Sequence, residues 1–155
     1  MPKIVPKDEL LKMKGWKSSP SDYFEIDQGR VNRFAEVTKD DQFIHSDPER
    51  AAQTPFGGTI AHGFLTLSLL SRLVRDIFVI PEGTVMVVNY GLDKVRFIEA
   101  VPTGSRVRAH LEILDVVEKD RGRILVTSKV TIVIAGHDRP ALIAESLVLF
   151  MTQEG

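Results

Sequence analysis

The segment Phe56-Gly57-Gly58-Thr59-Ile60-Ala61-His62-Gly63-Phe64-Leu65-Thr66-Leu67-Ser68-Leu69-Leu70-Ser71-Arg72-Leu73-Val74 decides the reading of this chain. Glycines hold its first half in a loop. From Phe64 onward the apolar residues Phe64, Leu65, Leu67, Leu69, Leu70, Leu73 and Val74 spread around the whole circumference of a helix rather than along one stripe. A helix that is apolar all round is buried all round, so residues 64–74 are expected to be wrapped by the rest of the chain. The apolar run over 63–80 contains Arg72, Arg75 and Asp76 and is no membrane span.

The wrapping element is legible downstream. After Pro81 the texture changes to period-two patterning, which predicts strands over 84–90, 94–98, 105–118, 123–135 and 141–152. Alternation is clearest where Val107, Ala109, Leu111 and Ile113 interleave with Arg106, Arg108, His110 and Glu112. Turns over 119–122 and 136–140 join neighbouring strands as hairpins, giving an antiparallel sheet with one wet face. The expected fold is therefore α+β, a long antiparallel sheet around a central buried helix. Such a sheet leaves edges and a flank open, and a homodimer is the expected way to cover them.

Upstream, Leu10, Leu11 and Met13 suggest a short amphipathic turn, and residues 23–26 a short strand. A helix is expected over 28–37 from the spacing of Val31, Phe34, Ala35 and Val37, fading at 38–41. A second short helix is expected over 47–53, capped by Ser46 or Asp47, with Pro48 in its first turn and Glu49 favouring its dipole. No internal repeat, low-complexity tract or linker divides the chain, so residues 1–155 read as a single domain.

Composition narrows the function classes. The 155 residues are 43% hydrophobic and 26% charged, with 20 basic residues against 21 acidic ones. Neither a basic excess nor a basic stripe marks an electrostatic nucleic-acid binder, so no nucleic acid is expected as a partner. With no cysteine there is no disulfide, thiolate metal site or cysteine nucleophile. Residues 1–14 lack the apolar core of a signal peptide, and a cytoplasmic location with no membrane partner is the expectation.

Two constellations carry possible chemistry. In Thr38-Lys39-Asp40-Asp41-Gln42-Phe43-Ile44-His45 a carboxylate precedes a histidine by five residues. On a continuous helix they would lie roughly 140° apart, so they converge only if the chain leaves the helix between them. A histidine beside a carboxylate is a general acid/base arrangement. On spacing alone the plainer reading, a helix-ending Asp and a loop His, stands ahead of catalysis. In the second constellation, Gly57, Gly58 and Gly63 feed the central helix, whose first N–H groups can polarise a carbonyl oxygen. The same glycines also serve simply to turn and pack the chain. Ser68 and Ser71 lie in the apolar helix, where a serine either bonds the preceding turn or, for Ser71, supports a catalytic carboxylate. His62 reads as a structural hydrogen-bonder, His110 as solvent-facing and His137 as a turn residue. The histidine spacing predicts no metal.

Together, Thr38–His45 and Gly57-Gly58-Thr59-Ile60-Ala61-His62-Gly63 resemble the MaoC-like, (R)-specific enoyl-CoA hydratase family of hot-dog fold, in its nodulation protein N-like branch. The resemblance covers residues 24–150. Many members read Gly-Asp-x-Asn-Pro-(Leu/Ile)-His, where this chain has Lys39, Gln42 and Phe43 at the Gly, Asn and Pro positions. The resemblance implies that Asp40 and His45 activate the water that adds to C3 of a trans-2-enoyl thioester and deliver a proton to C2. It further implies that the Gly63 N–H holds the thioester oxygen, that Ser71 supports the pair, and that the site lies near a dimer interface. No cofactor is implied, and acyl-CoA is the implied substrate.

Three other readings accompany this one. Dehydration of an acyl chain on acyl carrier protein would call for a basic patch, for which Arg96, Arg106, Arg108, Arg121 and Arg123 are the candidates. A non-catalytic acyl-thioester-binding protein is a reading from another class, and thioesterase action is a weaker one on the same fold.

Overall fold

A computed structural model describes residues 1–120 and 122–153. Five strands form an antiparallel sheet, in the order β2 (Phe24–Glu25), β5 (Arg106–Glu118), β6 (Arg123–Ile134), β7 (Pro140–Thr152) and β4 (Thr84–Phe97). The alternation read from the sequence sets which face is dry. Val107, Ala109, Leu111 and Ile113 of β5 are buried, as are Ile124, Val126, Val130, Ile132 and Ile134 of β6. Against this face packs the central helical segment, α5 (Gly63–Ser68) and α6 (Leu70–Val74), whose Leu65, Leu70, Leu73 and Val74 enter the same core. The sheet is thus curled around the helix, as expected.

Three details differ from the sequence expectation. First, the central helix is not uniform. Leu69 relaxes to φ -70, ψ -11 between α5 and α6, although the Leu69 N–H still reaches the Leu65 carbonyl at 3.1 Å. Ser68 Oγ donates to the Phe64 carbonyl at 2.7 Å, a back-bond that loosens and bends helices. Nor is the segment buried all round. Phe64 is 68% exposed, and Ser68, Ser71 and Arg72 follow it along the same open flank.

Second, the strands expected over 84–90 and 94–98 are one strand, β4. It absorbs the polar stretch between them through register shifts at Asn89/Gly91 and Asp93/Arg96, with Lys94 at φ 50. Bulges let a strand accommodate extra residues while bending it, which is why the break in alternation did not end it. Third, residues 3–5 form a strand the sequence reading missed. This β1 (Lys3–Val5) pairs in parallel with β3 (Val79–Pro81) as a separate two-stranded ribbon. Helix α1 (Lys7–Leu10) follows it, and its Lys7 ammonium donates to Glu118 at the end of β5, which raises the Lys7 pKa above its ordinary value. The turn expected over 119–122 includes Arg121, outside the described residues. The turn over 136–140 is present, with Gly136 at φ 80 and the His137 N–H on the Ile134 carbonyl.

The site is carried by the helical layer. Helix α2 (Gln28–Thr38) starts at Asp27, whose side chain accepts from the Arg30 N–H. It stops because Lys39 takes the left-handed conformation, φ 63 and ψ 17. Glycine is the usual residue at that stop, since a Cβ is strained there. This gives the Gly-to-Lys difference a physical meaning: Lys39 keeps the turn and pays in strain. Lys39→Gly is therefore expected to stabilise the fold by about 0.5–1 kcal/mol, read as a rise in the thermal midpoint. An unchanged or lower midpoint would contradict that reading.

Candidate active site

The chain leaves the helix between Asp40 and His45, as convergence requires. After α2 the backbone passes through residues 39–42 and re-enters a single helical turn, α3 (Phe43–Ser46). Ser46 Oγ closes this turn by donating to the carbonyls of Asp41 and Gln42, both at 3.1 Å. Helix α4 (Pro48–Ala52) follows, with Asp47 as its cap and Pro48 in its first turn, as the sequence predicted. The result is that a carboxylate oxygen of Asp40 and ring nitrogens of His45 and His62 lie within 4.8 Å of one another.

His45 is 7% exposed and Asp40 is open to solvent. The Nδ1–H of His45 donates to the Ile60 carbonyl at 2.7 Å. A carbonyl only accepts, so this bond fixes the tautomer and leaves Nε2 with a free lone pair. The same two segments are tied a second time, since the Ile60 N–H donates to the Ile44 carbonyl at 3.0 Å. An imidazole so held, with a carboxylate beside it, has the geometry a general base requires.

His62 completes the group. It is 2% exposed, its Nε2–H donates to the Asp40 carbonyl at 2.9 Å, and its ring stacks on His45 with centroids 3.8 Å apart and planes 23° from parallel. This is the structural hydrogen bond the sequence reading assigned to it. The two histidines and Asp40 make a poor metal chelate. An ion would have to lie near both ring planes at about 2.0 Å from each nitrogen, and lone pairs of two stacked rings run side by side rather than meeting.

Gly63 follows directly, at the start of α5. Its N–H finds no acceptor among the described residues. A Cβ at Gly63 would stand 3.0–3.3 Å from the Phe97 ring, so the absence of a side chain is what lets that ring lie over this backbone. His45, Gly63, Thr66, Phe97 and Leu142 share the walls of one cleft of about 230 Å³. Ser71 is not brought there. It lies on the other side of the segment, on the wall shared by two cavities of about 470 and 170 Å³ that also share Leu70 and Asn89.

Two supporting residues escaped the sequence reading. Gln28, at the start of α2, donates through Nε2 to the His45 carbonyl at 2.8 Å and accepts through Oε1 from Thr59 Oγ1 at 2.6 Å. It clamps α2, α3 and the glycine loop together, and no local pattern marks a glutamine for that task. Thr66 is 2% exposed, lines the His45 cleft, and its hydroxyl has no partner among the described residues. The four described candidate arginines do not gather into one patch. Arg106 and Arg108 lie over the Tyr23 ring, Arg123 is paired with Asp120 at the opposite end of the sheet, and Arg96 is on the far edge strand, while Arg121 falls outside the described residues.

A curled antiparallel sheet on a central helix, with a histidine and an aspartate at that helix's entry, defines a hot-dog dehydratase fold. The family model described as "MaoC like domain" matches residues 11–135. The chain is 46% identical over 143 residues to 3-hydroxyacyl-thioester dehydratase Z of Mycobacterium tuberculosis, covering 92% of this chain and 94% of that one. It is 45% identical over 137 residues to nodulation protein N of Rhizobium leguminosarum bv. viciae, covering 87% and 84%. The crystal structure of the MaoC-like dehydratase from Rhodospirillum rubrum superposes with a TM-score of 0.78 over 97% of this chain and 99% of that one, at 17% identity. The chain belongs to the MaoC-like dehydratase family. No helix among the described residues is long and apolar enough to cross a membrane.

Proposed function

We propose that this protein catalyses the reversible hydration of trans-2-enoyl-CoA to (R)-3-hydroxyacyl-CoA. The observation that carries the reading is the convergence of the Asp40 carboxylate and His45, whose Nε2 lone pair is left free by the Nδ1–H bond to Ile60. A water held between the two gives up a proton as its oxygen bonds to C3. The electron pair of the double bond moves toward the thioester oxygen, where the Gly63 N–H receives the developing charge. The pair returns a proton to C2. Water supplies every atom added, so the reaction is redox-neutral and calls for no cofactor. Ser71, on the cavity wall against β4, is assigned to substrate binding. The mycobacterial relative is named for the dehydration of a 3-hydroxyacyl thioester, which is the coarser form of this reaction in the reverse direction.

A homodimer is part of the proposal. Strand β4 is an open edge of 14 residues, and Val85, Val87, Tyr90 and Phe97 along it are each at least half exposed, as is Phe64 beside it. A long apolar edge of this kind is covered in stable proteins, and a second copy related by a twofold axis covers it with the same strand. The separation of Arg96, Arg106, Arg108 and Arg123 favours CoA over an acidic carrier protein as the thiol carrier.

Purified protein mixed with crotonyl-CoA, and separately with a longer enoyl-CoA, is expected to consume enoyl absorbance and yield the (R)-3-hydroxy product on chiral analysis. Turnover only of carrier-linked chains would shift the reading to the carrier-protein dehydratase. Release of free thiol would replace it with thioesterase action.

A further inference from the structure

One residue touches both the Asp40 and the His45 segments and takes no step in the reaction above. His62 is wedged between the Phe34 ring of α2, at 4.9 Å, and the His45 ring of α3, at 3.8 Å. Its Nε2–H holds the main-chain carbonyl of Asp40, its own carbonyl accepts from the Thr66 N–H of α5, and Gly63 is its immediate neighbour. Its second nitrogen, Nδ1, is buried without a partner among the described residues. Buried polar atoms left unpaired are uncommon and are retained where something else fixes the side chain. Here the fixed features are the ring face offered to His45 and the single N–H offered to Asp40.

We propose that His62 is the positioning residue of this site: it sets the spacing and relative angle of the Asp40 carboxylate and the His45 ring. The Asp40–Ser46 segment leaves one helix and enters another within a few residues, and its local hydrogen bonds are those of the α3 turn and a long one, 3.4 Å, from the Asp40 N–H to Thr38 Oγ1. Among the described residues the carbonyl of Asp40 is tied only through His62. His45 is anchored in its plane by Ile60, and the His62 ring lies against its face. The inference rests on the proposed roles of Asp40 and His45.

Two substitutions separate the two functions of the ring. His62→Phe keeps a flat ring against His45 and removes the donor to Asp40. His62→Gln keeps an amide N–H near the Nε2 position and removes the ring. Both are expected to fold and to lower kcat on an enoyl-CoA by about 10- to 100-fold, the scale of a misplacement of catalytic groups by about an ångström. KM is expected to change by less than about threefold, because the substrate-binding surfaces are not touched. A role confined to stability would lower the thermal midpoint and leave kcat of the folded protein unchanged.

In the unsubstituted protein, nitrogen-15 spectra of the imidazoles are expected to show His62 with its proton on Nε2 and His45 with its proton on Nδ1. The His45 ring protons are expected to be shifted upfield by the stacked ring and to lose that shift in His62→Gln. The inference is overturned if both variants keep kcat within about twofold of the parent while His45→Ala is inactive. It is equally overturned if His62 carries its proton on Nδ1. If His45→Ala itself retains full activity, the reading of the whole site fails, and this inference with it.

Discussion

His45→Ala is expected to lower kcat on an enoyl-CoA by about 10²–10⁴-fold, the usual contribution of a positioned general base. The substitution also leaves the Ile60 carbonyl without its 2.7 Å partner, and an orphaned buried acceptor costs about 1–3 kcal/mol of stability. The two effects separate with His45→Asn. Its amide N–H stands where Nδ1–H stood and restores the bond to Ile60, yet nothing replaces Nε2. Thermal melts of the Asn variant are expected near the parent's while its kcat falls as far as that of the Ala variant. If His45→Asn keeps both stability and activity, His45 is a packing residue.

The second large effect is expected on assembly. Val87 is 50% exposed in one protomer and lies on the open edge strand, facing the cavity that Phe150 and Val74 also line. In a twofold dimer each substitution enters the interface twice. Val87→Glu would therefore bury two unpaired carboxylates, each costing several kcal/mol, which raises the dimer dissociation constant by about a hundredfold or more. Sedimentation is expected to show a dimer for the parent and a monomer for the variant. A variant that remains dimeric would place the interface elsewhere.

Much of this architecture was legible because each signal had one physical source. Alternation over Val107, Ala109, Leu111 and Ile113 requires a sheet with one dry face, and that is where those residues lie. The loop between Asp40 and His45 was required by geometry, and the structure supplies it through the left-handed Lys39 and the short turn of α3. What escaped was non-local. Polarity around Asn89, Asp93 and Lys94 read as the end of a strand, because bulges are invisible to a period-two count. The flank carrying Phe64 and Ser71 read as buried because an apolar count around a helix does not say whether the rest of the chain reaches every side of it. Gln28 gave no signal, since a side chain that bridges distant segments has no local pattern, and Thr66 gave none because one threonine in an apolar helix does not show which cavity it lines. His62 was readable as a hydrogen-bonder, but its stacking on His45 depends on how the loop before α5 meets α3.

The central claim is that Asp40 and His45 act as one unit on one water, and kcat of Asp40→Asn, His45→Asn and the double variant tests it most directly. Residues that act as a unit give strongly non-additive losses, so the double variant is expected within about tenfold of the more impaired single variant. Losses that multiply would mean that the two groups act independently, and would contradict the account.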